Sequence, residues 1–185
     1  MKIEELQPFL TNRFGTALTK IDENSYQVET PEYRLMIILS AQQSWVRTLI
    51  PIAPAADAIT FVEQFLYSNF DATLEVRYAM YEEILWGVWQ HSIAGLTTPD
   101  LSMAIERSIE LKQVGIDRAF RDFATKQVRE IARIAKKRGD TLEQTIQTLD
   151  RFYAEGVMGD LGATEDTRTE MMTAWRFQLE KIWKE

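Results

Sequence analysis

Tyr33-Arg34-Leu35-Met36-Ile37-Ile38-Leu39 and Ile84-Leu85-Trp86-Gly87-Val88-Trp89-Gln90-His91 decide the fold of this chain. Both are short, rich in aliphatic and aromatic residues, and flanked by polar or turn-forming residues, which marks them as strands. Successive side chains of a strand point to opposite faces of its sheet. Tyr33, Leu35, Ile37 and Leu39 therefore share one face, and Arg34, Met36 and Ile38 the other. In the second stretch Ile84, Trp86, Val88 and Gln90 lie opposite Leu85, Gly87, Trp89 and His91. An antiparallel sheet with one wet face alternates apolar with polar residues. These two strands do not, so both of their faces are expected to leave water. Helices of the first part can cover one face, and the expectation for the other is cover by C-terminal helices, a second subunit or a client protein.

Outward from these strands the elements order themselves. Ile3, Leu6, Phe9, Leu10 and Phe14 have helical spacing, and Gly15 closes that helix. Residues 26–29, 33–39 and 45–52 read as a three-stranded antiparallel meander, with a short strand before it at 16–21. Pro54 and Asp57 open a helix that ends near Asn69. Residues 73–92, broken by Glu82-Glu83, form a hairpin, and Thr98-Pro99-Asp100 starts a helix that Gly115 ends. Three helices follow at 117–138, 141–155 and 164–184. The expected fold is α+β, with an antiparallel sheet of about five strands in the order α-β-β-β-α-β-β-α over residues 1–115. A helical C-terminal extension, residues 116–185, is expected to pack on it.

With 185 residues, 45% of them apolar, the chain can bury a core without staples. It has no Cys, which removes disulfides, thiolate catalysis and Cys-based metal sites. The first residues, Met1-Lys2-Ile3-Glu4-Glu5, carry no export signature, and no apolar run approaches a membrane span. A cytoplasmic protein without membrane insertion is expected. The net charge of −7 disfavours nucleic acid. All of that excess lies in residues 1–114, with 8 Lys and Arg against 15 Asp and Glu; residues 115–185 carry 13 of each.

No constellation of catalytic residues is legible, and no cofactor or metal is expected. His91 is the lone histidine, so neither a His-rich metal cluster nor a triad independent of it can exist, and it reads as a structural or partly exposed side chain. Asp160, Glu165 and Asp166 lack calcium-loop spacing. Gly156, Gly159 and Gly162 lie between helices and read as a connector. Met171, Met172, Trp175, Leu179 and Ile182 form a packing stripe. The sharpest pattern is at 118–137. There Arg118, Arg121, Lys126, Arg129, Arg133, Lys136 and Lys137 fall on one helix face, opposite Ile116, Phe120, Phe123, Val128, Ile131 and Ile134. That stripe is either a solvated face or an anion- or partner-binding one. Trp45, Trp86 and Trp89 are candidate apolar partner contacts.

Phe65-Leu66-Tyr67-Ser68-Asn69, the hairpin through Ile84-Leu85-Trp86, and Thr98-Pro99-Asp100-Leu101 after Ser92-Ile93-Ala94-Gly95-Leu96 carry a resemblance. In these residues and in its order of elements, the region 3–114 resembles the type III secretion chaperone-like fold, shared with bacterial YbjN-type proteins and uncharacterised cyanobacterial ones. The resemblance implies a protein that holds a protein partner, often as a homodimer, with no catalytic residues. The expected function is thus a non-enzymatic, chaperone-like or assembly-assisting protein-binding module. The alternative is a polyanion binder, for nucleic acid or an acidic lipid surface, through the basic face 118–137.

Overall fold

The apolar spacing at the N-terminus forms helix α1 (Ile3–Phe14), which buries Leu6 and Leu10 and ends at Gly15 with φ +53°. Strands β1 (Leu18–Lys20), β2 (Ser25–Glu29), β3 (Arg34–Leu39) and β4 (Trp45–Pro54) follow in a meander. This is a computed structural model, and it describes residues 1–154 and 165–184. The helix expected from Pro54 to Asn69 is divided into α2 (Ala55–Ala58), a 3-10 turn (Ile59–Phe61) and α3 (Val62–Phe70). The break falls at the β-branched pair Ile59-Thr60, where crowding against the preceding turn weakens the α-helix. The hairpin β5 (Arg77–Tyr81) and β6 (Ile84–Ser92) leads to α4 (Thr98–Val114). The cap of α4 is Thr97, one residue earlier than expected. Its hydroxyl accepts from the Asp100 amide, and the Asp100 carboxylate accepts from the Thr97 amide.

All strand pairs are antiparallel, in the order β1-β2-β3-β4-β6-β5. The short strand at 18–20 makes the sheet six-stranded, so the class stands and the count rises by one. The alternation of faces follows the sequence. Leu35, Ile37, Leu39, Val46, Ile50 and Trp89 are buried on one face, together with Leu6 and Leu10 of α1 and Leu101 and Ile105 of α4, and Leu85 of the same face packs in a second cluster with Ile52, Phe65 and Tyr78. Thr48, wholly buried among them, shares a hydrogen bond of 3.3 Å with Ser108 of α4. Gly87 lets α4 come close: a Cβ there would lie 2.9 Å from Ile50 and 3.2 Å from Leu111.

The other face is different in kind. Met36, Ile38, Leu49, Trp86 and Val88 are only half-buried, and none belongs to the clusters of buried residues. Leu49 lies between Met36 and Val88 in the register. Arg47 donates to Gln90 Oε1 across it at 3.0 and 2.6 Å and lies 5.0 Å from the Trp45 ring.

The chain divides into two units, Met1–Phe120 and Arg121–Glu185. Helices α5 (Asp117–Arg138), α6 (Leu142–Ala154) and α7 (Glu165–Trp183) occupy the positions expected of them. The second unit's core joins Ala124, Val128 and Ala132 to Ile146, Leu149, Trp175 and Leu179. On α5 the buried line runs through alanines, whereas Phe120 and Ile134 are exposed. It is rotated by roughly a quarter turn from the apolar face expected. Helix axes approach most closely across small side chains, and close approach fixed which side is buried. Of the stripe expected on α7, Trp175 and Leu179 are buried and Ile182 packs at their edge. The side chains of Met171 and Met172, the loop with Gly156, Gly159 and Gly162, and Asp160 lie outside the described residues.

Candidate protein-docking surface

Helix α3 is apolar on two sides. Inward, Phe65 is buried, its ring centroid 4.7 Å from that of Tyr78 on β5. Outward, Glu63, Leu66, Tyr67 and Phe70 follow the spacing i, i+3, i+4, i+7 and so share a helix face. Leu66 is 65% exposed, Tyr67 70% and Phe70 92%. Burying a large apolar side chain is worth about 1.5–3 kcal/mol, so three in a row left in water are a feature to be explained. A groove of about 260 Å³ runs between α3 and β5, lined by Val62, Phe65, Leu66, Tyr78, Met80 and Leu85 among others. Its lining is mainly apolar side chain.

The neighbouring edge strand is closed at Tyr78. In the β5–β6 register Tyr81 faces Ile84 across a two-residue turn, so Tyr78 and Met80 turn their backbone groups away from β6. Asn69 fills that outer position at Tyr78. Its Oδ1 accepts from the Tyr78 amide at 2.7 Å and its Nδ2 donates to the Tyr78 carbonyl at 3.0 Å. The side-chain amide thus stands where another strand would pair.

The segment that carries this surface is acidic, while Arg107 and Arg118 lie beside Tyr78 on its other side. Residues 55–83 contain Asp57, Glu63, Asp71, Glu75, Glu82 and Glu83 but only one cation, Arg77. The Tyr81 hydroxyl is held above the ordinary tyrosine pKa by its hydrogen bond to Glu82 and by that carboxylate's charge. Burial pushes the Tyr78 hydroxyl up, against the opposing pull of Arg118.

The sequence-derived candidates are distributed differently. Arg118 belongs to the first unit, in a cleft of about 120 Å³ with Tyr78 and the Arg107–Glu110 ion pair. Arg121, Lys126, Arg129, Arg133, Lys136 and Lys137 belong to the second and are exposed. Arg133 is paired with Glu130, which lowers the Glu130 pKa and raises that of Arg133. The Lys136 ammonium lies 5.6 Å from the Trp183 ring centroid. A groove of about 570 Å³ along α5 exposes Lys126, Arg129 and Arg133 together with Asp122 and Glu130. The tryptophans separate: Trp89 is buried at 6%, and Trp45 and Trp86 are half-buried on the other sheet face. The Trp86 indole donates to the Tyr81 carbonyl at 3.0 Å. His91 stacks on Trp89 at 5.5 Å and bonds the Ser92 carbonyl through Nδ1. No group of three His, Asp or Glu side chains among the described residues is placed to hold a metal, and no described helix is long and apolar enough to cross a membrane.

No family model matches the sequence, and no curated protein matches it. Among solved structures, the HopA1–SchA chaperone–effector complex is similar, with a TM-score of 0.49 and 12% identity over 60% of this chain and 90% of that one. The ExsC–ExsE complex is similar with a TM-score of 0.48 and 12% identity, over 62% of this chain and 97% of that one. An uncharacterised protein from Methanothermobacter thermautotrophicus gives 0.46 and 15%, over 65% and 97%.

The α3 surface was open to recognition in the sequence. Ile59, Phe61, Val62, Phe65, Leu66, Tyr67 and Phe70 surround the helix on all sides, more apolar surface than one core-facing stripe requires.

Proposed function

We propose that this chain is a non-enzymatic protein-binding module of chaperone-like or assembly-assisting character. The observation that carries the reading is the exposed line Leu66, Tyr67 and Phe70 beside the apolar α3–β5 groove. A contiguous apolar patch with a polar surround marks an association surface. Its work is to remove a partner's apolar segment from water, aided by charge. The partner is another protein, and a homodimer through this surface is the variant of the reading that light scattering tests directly.

The polyanion reading has less behind it. A phosphate-rich ligand in the α5 groove would meet Asp122 and Glu130 beside the three cations, and the Arg133 guanidinium is already held by Glu130. The deciding experiment replaces Tyr67 by the photocrosslinker p-benzoylphenylalanine in the full chain, with Ile21 replaced in a control because it too is exposed. Discrete protein adducts at position 67 but not at 21, upon irradiation in the producing cells, are expected. Equal labelling at both positions would remove the reading.

A further inference from the structure

The docking surface limits what can occupy it, and this inference rests on that protein-binding reading. An extended segment would have to pair with β5, but the Asn69 amide already satisfies both outward backbone groups of Tyr78. Only Met80 offers outward backbone groups within the strand, too little for a ladder. Recognition must therefore come from side chains. The exposed line on α3 has the spacing of a helix ridge, and such a ridge fits the groove of a second helix. The anchors Leu66, Tyr67 and Phe70 lie along that ridge, and the groove beside it accepts apolar side chains.

Charge then selects the kind of helix. Asp71 follows Phe70, and Glu82 and Glu83, both exposed, follow the β5 strand that forms the far wall. A second copy of this chain would bring these acids against their like, which opposes association. A segment with Lys or Arg flanking its apolar residues meets them favourably. We infer that the α3–β5 surface binds an amphipathic helix of a partner protein, apolar at positions i, i+3, i+4 and i+7 and basic at its flanks.

The probe is a labelled peptide of about 15 residues, with Leu at those positions and Lys elsewhere. It is compared with its Glu counterpart and with a Leu/Lys isomer that alternates in strand fashion. Fluorescence anisotropy with the full chain should give binding by the Lys helix roughly tenfold tighter than by either comparison peptide. Leu66→Ser and Phe70→Ser should each weaken it by about as much, and both sites are exposed, so folding is retained. Glu82→Lys with Glu83→Lys should remove most of the preference for Lys over Glu, whereas Glu23→Lys with Glu32→Lys, the same change in net charge elsewhere, should leave it. Equal or tighter binding of the alternating peptide, indifference to the two Ser variants, or equal effects of the two charge reversals would overturn the inference. Adducts at position 67 together with any of these results would refute the helix while leaving the protein-binding reading intact. A homodimer built on α3 would refute the helix as well.

Discussion

Glu82 and Glu83 make the β5–β6 turn with φ of +47° and +62°, the left-handed region that side chains resist. A two-residue hairpin turn with both residues there is normally built from Asn-Gly, because Gly carries no Cβ to clash. Glu83→Gly should therefore raise stability by about 1 kcal/mol, seen as a higher urea midpoint, once the larger unfolded-state entropy of Gly is offset. Asp100 supplies a pH-dependent contact at the start of α4. Hydrogen bonds from the Thr97 hydroxyl and amide hold its carboxyl below the ordinary aspartate pKa. A folded pKa depressed in this way means stability that is present above the unfolded pKa and is lost as pH falls through the folded one. Asp100→Asn should be less stable than the parent at neutral pH, and the difference should shrink as pH falls below about 4. Thermal melts across that range measure it.

Among the elements, β6 and α4 are bound together by an absence. Gly87 has no Cβ, so Ile50 and Leu111 close over it. Gly87→Ala would push against both, and about 1–3 kcal/mol of destabilisation is expected in denaturant unfolding. The Ile50 atom met is its Cγ2 methyl, which valine keeps, so Ile50→Val should leave that destabilisation in place. The strands and helices themselves were legible in the sequence, because short apolar runs between turn residues, such as residues 33–39, and capped runs such as 98–114 carry their own boundaries. Three things were not. The break at Ile59-Thr60 depended on local crowding within an otherwise helical pattern. The buried side of α5 was decided by how closely neighbours approach its alanines, and hydrophobicity ranks Ala below Phe120 and Ile134. Of the docking surface the sequence carries only the excess of apolar residues around the helix; which side is left over is decided by packing. The second sheet face, apolar in β3 and β6, also carries the hydrogen-bonded pair Arg47 and Gln90, and its Met36, Ile38, Leu49, Trp86 and Val88 are half-buried.

For the whole molecule, the division at residues 120 and 121 agrees with the change in charge along the chain, which is acidic over residues 1–120 and balanced over residues 121–185. Each unit has buried clusters drawn from its own residues. A fragment of residues 1–120 should thus unfold cooperatively by itself, with far-UV circular dichroism and Trp fluorescence losing signal together; separate transitions or an uncooperative slope would show the sheet unit to be incomplete. A final consequence belongs to Asn69. By occupying the outer side of β5 at Tyr78, its amide marks where the sheet stops on that side and leaves a neighbouring copy fewer backbone groups to stitch onto. Asn69→Ala should reopen that border, and thioflavin-positive fibres should then grow at concentrations where the parent remains clear.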